Sequence, residues 1–118
     1  MPSTEEVMPR AIFEQGEQIF PEGAFGNLAY VVVTGQVEIA RNVKGQRKVL
    51  GIIRSGGVFG EMALIDGKPR MAEAKAVQKT VCSVIRRDVF EQKIKGADPF
   101  IRGLLRVLVE NVRSMADG

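Results

Sequence analysis

Short apolar runs separated by glycine-containing turns dominate the first two thirds of the chain. In residues 36–41, polar and apolar side chains alternate, which is typical of a β-strand with one buried face. Ten of the thirteen glycines lie between Gly16 and Gly67, so many short strands joined by turns are expected. This pattern predicts a sandwich or a barrel, and therefore a mainly β fold with flanking helices.

The predicted strands begin near residue 11 and end near residue 85. Leu28–Val33 is rich in β-branched residues, and Thr34-Gly35 is predicted to turn the chain into residues 36–41 as a β-hairpin. A second turn is predicted at residues 42–45, where Gly45 suits a positive φ. The other strands are predicted at Ala11–Phe13, Gln18–Phe20, Lys48–Ile53, Ala72–Ala76 and Thr80–Ile85.

Helical signals lie towards the two ends of the chain. Ser3 and Glu6 have the spacing of a capping box, which predicts a short leading helix to about Arg10. After the last strand, Asp88 is predicted to cap a helix that stops at Gly96.

Asp98 and Pro99 predict the start of a final helix, because aspartate caps helices well and proline fits the first helical position. Apolar residues then recur at helical spacing along one face, at Ile101, Leu104, Leu105, Leu108, Val112 and Met115. This face is expected either to pack on the β-domain or to contact a partner or a second copy of the chain. The sequence leaves both alternatives open.

Length and composition indicate one globular domain. The chain has 118 residues, of which 45% are hydrophobic and 26% charged, and both values are ordinary for a globular protein. No apolar run approaches the roughly 20 residues that span a bilayer. Residues 1–10 contain two acids and no apolar core, so no secretory signal is expected. The expected location is the cytoplasm.

The residues that most enzymes need are scarce. There is no histidine, and the single cysteine, Cys82, lies among apolar residues and is interpreted as a small buried hydrophobe. These features argue against a zinc site and against a histidine-assisted nucleophile. We therefore expect no enzyme activity, no catalytic residue, no metal and no cofactor.

The net charge of +3 is unevenly distributed. Up to Ala40 there are six acids and one base, whereas the rest of the chain has sixteen bases and eight acids. A nucleic-acid partner is one interpretation. Arg41, Lys44, Arg47 and Lys48, however, belong to one predicted hairpin, carry no interleaved aromatics and precede no helix-turn-helix. A solvated hairpin without direct nucleic-acid contact is therefore favoured.

Residues 57–72 carry the clearest candidate chemistry. A helical turn that begins at Gly60 leaves its first backbone N–H groups unpaired, and the missing side chain lets an anion approach them. Arg70 follows after a loop, and its planar guanidinium suits phosphate oxygens. Glu61 could accept a hydrogen bond from a sugar hydroxyl or from Arg70. Sugar and phosphate together indicate a nucleotide. The alternative is that Glu61 and Arg70 form a structural ion pair beside an ordinary turn.

The order of residues in this stretch resembles the phosphate-binding cassette of the cyclic-nucleotide-binding domains. That family includes the catabolite activator protein, protein kinase A regulatory subunits and cyclic-nucleotide-gated channels. The resemblance rests on Phe59-Gly60-Glu61-Met62-Ala63-Leu64, followed by Pro69-Arg70 and Ala72. It extends over roughly residues 11 to 115, with its specificity concentrated in the cassette.

The resemblance implies a role for each residue of the site. Glu61 would hold the ribose 2′-hydroxyl, Arg70 would pair with the cyclic phosphate, and backbone N–H groups of the cassette would complete the anion seat. Met71 stands where the family usually has alanine, serine or threonine, and it has no hydroxyl for a guanine base, so cyclic AMP is expected before cyclic GMP. The predicted site residues are Phe59, Gly60, Glu61, Met62, Ala63, Arg70, Met71 and Ala72.

The resemblance also implies an architecture and a function. The fold would be a jelly-roll-like β-barrel (double-stranded β-helix) with a short N-terminal helix and C-terminal helices. One domain, 1–118, would comprise a leader (1–10), a barrel (11–85) with the cassette at 57–72, and C-terminal helices (86–118). The domain would be a cyclic-nucleotide sensor whose last helix signals to an effector protein or mediates self-association. The alternative is a ligand-free interaction module with a degenerate site.

Overall fold

The computed structural model describes residues 8–117 and, in that range, eight strands and three helices. The strands are β1 (Arg10–Phe13), β2 (Gln18–Phe20), β3 (Leu28–Thr34), β4 (Val37–Val43), β5 (Gln46–Ile53), β6 (Val58–Phe59), β7 (Glu73–Ala76) and β8 (Thr80–Arg86). The helices are α1 (Glu61–Asp66), α2 (Arg87–Lys95) and α3 (Pro99–Asp117). No helix in the described range is long and apolar enough to cross a membrane.

The strands form two four-stranded antiparallel sheets. One has the order β1-β8-β3-β6 and the other has the order β2-β7-β4-β5. Successive strands are therefore often in different sheets, as in a jelly roll, and the predicted mainly β, jelly-roll-like fold is confirmed.

The predicted hairpin between β3 and β4 is wrong. β3 pairs with β6 and β8, whereas β4 pairs with β5 and β7 in the facing sheet. At the crossing, the buried hydroxyl of Thr80 lies 3.2 Å from both the N–H and the carbonyl oxygen of Gln36. Thr34-Gly35 does make a turn, but a turn signal does not specify which sheet the next strand joins.

The second predicted turn is a true hairpin between β4 and β5. Lys44 and Gly45 both have positive φ, 54° and 83°, which matches a two-residue hairpin turn. The basic residues of this hairpin face solvent and acidic neighbours. Arg47, for example, lies 2.6 Å from a carboxylate oxygen of Glu38 and also pairs with Glu73. The solvated-hairpin interpretation fits this arrangement.

Aromatic rings fill the core at the end of the domain that holds the candidate site. Tyr30 stacks on Phe59 with ring centroids 5.1 Å apart, and Phe20 lies 6.3 Å and 6.1 Å from these two rings. Cys82 is fully buried in the same core, and burial raises the pKa of its thiol to about 11. The cysteine is thus a buried hydrophobe, as predicted.

Capping aspartates were predicted at Asp88 and Asp98, and the first prediction is wrong. α2 begins at Arg87, and the Asp88 carboxylate binds the side chain of Arg86 instead of capping the helix from outside. At α3, the Asp98 carboxylate accepts a hydrogen bond of 2.8 Å from the N–H of Phe100, so the capping prediction is confirmed. The leading helix lies mostly outside the described residues, and Arg10, its predicted end, belongs to β1.

Most of the predicted apolar face of α3 is exposed, and Leu105 is its one half-buried member among the described residues. Val109, which the periodicity did not select, is the buried apolar residue of α3 at 5% exposure. The exposed apolar residues of this helix are Phe100, Ile101, Leu104, Val107, Leu108, Val112 and Met115. We call this set the α3 stripe. It leaves an apolar surface available for contact with another molecule.

Candidate functional site

One cavity of about 180 Å³ gathers the whole predicted site. Its lining includes all eight predicted residues: Phe59, Gly60, Glu61, Met62, Ala63, Arg70, Met71 and Ala72. It also includes residues that sequence reasoning missed, namely Phe20, Ile39, Ile53, Val58 and Arg113. Val58 lies within the cassette next to Phe59, whereas the other four missed residues come from strands and from α3, far from the cassette in sequence, and no local motif marks them.

Gly60 provides the turn from β6 into α1. Its φ of 81° is in the left-handed region, where a side chain is strained, and no side chain among the described residues caps the six-residue helix that follows. A Cβ at Gly60 would lie 2.9 Å from Nη1 of Arg70 and 3.3 Å from the carbonyl oxygen of Leu28. Glycine is therefore required here by both backbone conformation and the close approach of Arg70.

Arg70 is held in place along its whole length. Its N–H donates to the Ala24 carbonyl at 2.8 Å, and its Nη1 and Nη2 donate to the carbonyl oxygens of Gly60 at 2.8 Å and Leu28 at 2.6 Å. The guanidinium lies over the Phe20 ring, 4.0 Å from its centroid. Only 6% of Arg70 is exposed. This arginine is therefore preorganised.

The loop between β2 and β3 is shaped around the same guanidinium. A Cβ at Gly26 would lie 2.3 Å from Nη2 of Arg70, so a larger residue could not occupy this position without displacing the arginine. Arg87, at the start of α2, donates from its Nη2 to the Ala63 carbonyl in α1 at 3.1 Å, and its N–H donates to the Asn27 carbonyl at 3.0 Å. These hydrogen bonds connect the β2–β3 loop, α1 and α2.

Within residues 8–116, Arg70 forms no salt bridge, and the Glu61 carboxylate acts on its charge only from a longer distance. The Nε of Arg70 is buried without a hydrogen bond to any described residue, and burial is the main reason why its pKa lies below the usual arginine value. Glu61, which is half-buried in the same cavity, makes no ion pair with it in that range. The alternative that Glu61 and Arg70 form a structural ion pair is therefore wrong.

A second arginine reaches the cavity from α3. Arg113 pairs with Asp66 at the end of α1, with 3.0 Å between Nη2 and Oδ1, and donates to the Pro69 carbonyl at 3.0 Å. Burial of Asp66 opposes its ionisation, but hydrogen bonds from Arg113 and from the N–H of Lys68 outweigh this effect. The pKa of Asp66 therefore lies below its usual value of 3.8. This ion pair joins α3 to the cassette.

Together, the fold and the cavity define a class: a β-sandwich domain with a buried, preorganised arginine beside the turn from strand to short helix. A model of the cyclic nucleotide-binding domain matches residues 10–96. The chain belongs to this family, and it is a regulatory type of domain.

Relatives and solved structures agree with this assignment. The cyclic AMP receptor protein of Thermus thermophilus is 31% identical over 105 residues, which cover 88% of this chain and 49% of that protein. The EAL enzyme Bd1971 in its cAMP-bound form has a TM-score of 0.85 and 30% identity over 89% of this chain and 28% of that one. Its cGMP-bound form has a TM-score of 0.86 and 28% identity over 92% and 29%. The chain spans about half the length of the receptor protein.

Proposed function

We propose that this domain binds a cyclic nucleotide in the cavity around Arg70, with cyclic AMP bound more tightly than cyclic GMP. The observation that carries the proposal is the buried guanidinium of Arg70, whose Nε has no acceptor and which forms no salt bridge within residues 8–116. A buried charge is costly unless it is paired. A phosphodiester anion would supply the missing partner.

The ligand's parts match different walls of the cavity. The cyclic phosphate would accept hydrogen bonds from Arg70 and from the free N–H groups at the start of α1. The ribose 2′-hydroxyl would donate to Glu61, whose carboxylate has no other hydrogen-bond partner in the described range. No bond of the ligand is broken in this scheme, so the domain acts as a sensor.

The choice of base rests on the apolar side of the cavity. Ile39, Ile53, Val58 and Met71 lie there, and none of them has a side-chain hydrogen-bond donor or acceptor of the strength that would recognise guanine. An adenine ring would be held by apolar contact. The expected preference is therefore for cyclic AMP.

The signal would leave through α3. Arg113 lines the cavity and is bound to Asp66 of the cassette, so a ligand that shifts α1 also shifts α3. The α3 stripe would then pass the change to an effector protein or to a second copy of the chain. Both partners remain part of the proposal.

Isothermal titration calorimetry with cyclic AMP, cyclic GMP and linear 5′-AMP tests the function. We expect saturable heat with cyclic AMP, weaker binding of cyclic GMP and much weaker binding of 5′-AMP. Absence of heat and of competition at millimolar cyclic nucleotide would contradict the proposal.

A second candidate function is a ligand-free interaction module. Two observations favour it: both Nη groups of Arg70 already donate to backbone carbonyls, and the α3 stripe is exposed. Thermal unfolding separates the candidates, because a ligand at a hundredfold its dissociation constant stabilises the protein by about 2.7 kcal/mol. An interaction module would show no shift with either cyclic nucleotide.

A further inference from the structure

A second cavity, of about 250 Å³, lies between the three helices. None of its lining residues lines the cavity around Arg70. Its apolar wall is formed by one or two residues from each helix: Leu64, Ile65, Phe90, Ile94 and Leu105. We call this cavity the helical groove.

The polar rim of the helical groove is strongly cationic. Lys95, Arg102 and Arg106 line it against a single acid, Glu91, which lies 3.8 Å from Arg87 as its ion-pair partner. Within residues 8–116, the three cations make no ion pair. The Nε of Arg102 is buried and has no hydrogen-bond acceptor there. The rim therefore has unused donors and excess positive charge beside an apolar wall.

We propose that the helical groove is a binding site for a small amphipathic carboxylate, such as a medium-chain aliphatic acid. The alkyl chain would lie on the apolar wall, and the carboxylate would accept hydrogen bonds from Arg102 and Arg106, whose planar guanidinium groups match its geometry. The volume lies below the roughly 300 Å³ at which drug-sized pockets begin, which favours a small ligand. A bare inorganic anion would leave the apolar wall uncovered.

The probes are octanoate, the neutral 1-octanol and the cationic octylammonium, added to the isotope-labelled protein without any cyclic nucleotide. We expect octanoate to cause saturable amide shifts in NMR spectra around Ile65, Ile94 and Leu105. Octanol should bind about tenfold or more weakly, because it lacks the charge-assisted hydrogen bonds, and octylammonium should cause no saturable shift. Equal affinities for octanoate and octanol would overturn the proposal. Shifts centred on the helical groove, and not on Ile53 and Met71 in the other cavity, distinguish this site from the cavity around Arg70.

Two matched variants locate the site. Arg102→Gln should weaken octanoate binding about tenfold, whereas Lys93→Gln removes an exposed cation of α2 outside the groove and should leave the affinity unchanged. An equal loss in both variants would mean general charge attraction and would overturn the proposal. A tighter affinity in a Glu5→Gln/Glu6→Gln variant would assign the groove to the chain's own acidic residues and would also overturn it.

Discussion

Arg70 and Arg113 line the same cavity but are stabilised differently. Arg113 has a carboxylate, Asp66, and both side chains are 14% exposed. Arg70 is more deeply buried, yet it has only backbone carbonyls and the face of Phe20 as partners among residues 8–116. Arg113 therefore has a salt-bridge partner without any ligand, and Arg70 does not. A paired arginine such as Arg113 joins elements of the fold, whereas a buried arginine without a salt bridge, such as Arg70, is what the proposed anion site requires.

The energetics support this distinction. Carbonyl dipoles and an aromatic face stabilise a guanidinium, the aromatic face by about 0.5–2 kcal/mol, but neither neutralises its charge. A phosphate anion would neutralise this charge, and in a partly desolvated cavity the attraction between phosphate and guanidinium is stronger than in water. Because Arg70 is already fixed in position, little ordering entropy would be lost on binding. The comparison therefore predicts different consequences when each arginine is removed.

Arg70→Ala should have the largest effect on ligand binding. Charge-assisted hydrogen bonds contribute about 1.5–3 kcal/mol, so the affinity for cyclic AMP should fall by roughly tenfold to two-hundredfold in calorimetric titrations. Lys68→Ala is the matched control, because Lys68 is an exposed cation of the same loop and lies outside the cavity lining. Undiminished affinity in Arg70→Ala would show that this arginine is not the phosphate partner.

Glu61→Ala should have the next largest effect. Loss of the hydrogen bond from the ribose should weaken cyclic AMP binding by about tenfold, and the affinity for the 2′-deoxy analogue should change little. Because Glu61 has no hydrogen-bond partner in the described range, the fold should remain intact. Calorimetry of both ligands with both proteins forms a thermodynamic cycle. If the wild type binds the two ligands equally, Glu61 does not recognise the ribose.

Arg113→Met should mainly affect stability. It leaves the half-buried Asp66 without its partner, so the free energy of unfolding from urea titrations should fall by about 1–2 kcal/mol, and amides of α3 should exchange faster. Lys93→Met, which removes an exposed cation of α2, should change both values little. Unchanged exchange in α3 would mean that the ion pair does not hold this helix against the cassette.

The site around Arg70 was predicted from the sequence, and the contact between Arg113 and Asp66 was missed. The cassette is continuous in the chain, and a glycine, a short helix and an arginine in fixed order constrain the local backbone enough to be read directly. Arg113 and Asp66 are 47 residues apart, and their contact depends on where α3 lies after the chain has folded. Helix periodicity selected the apolar positions of α3 and gave Arg113 no role, although Arg113 contacts the cassette.

Two other predictions failed for the same reason, because they depended on contacts between elements that are distant in the sequence. The turn after β3 was recognised, but the sheet that β4 joins is decided by pairing with β7 and β5. Periodicity found an apolar face on α3, but the residue that is buried, Val109, is the one whose position faces the rest of the domain. Local chemistry can be read from a sequence, whereas contacts between distant elements depend on competition among many possible partners.

The pH dependence of the Arg113–Asp66 pair gives the smallest expected effect. Because the pKa of Asp66 in the folded domain lies below its usual value of 3.8, its contribution to stability is fully present above that pH and is lost as the pH falls through the folded pKa. Glu73 also has a lowered pKa, chiefly through its hydrogen bond from Arg47, so wild-type acid unfolding alone does not isolate Asp66. The difference in unfolding free energy between wild type and Asp66→Asn isolates the contribution of Asp66. It should be on the order of 1 kcal/mol at pH 7 and should vanish below the folded pKa. A difference that stayed constant down to pH 2 would mean that the pair contributes through shape and neutral hydrogen bonding, and the contrast between a paired and an unpaired arginine would then lose its electrostatic basis.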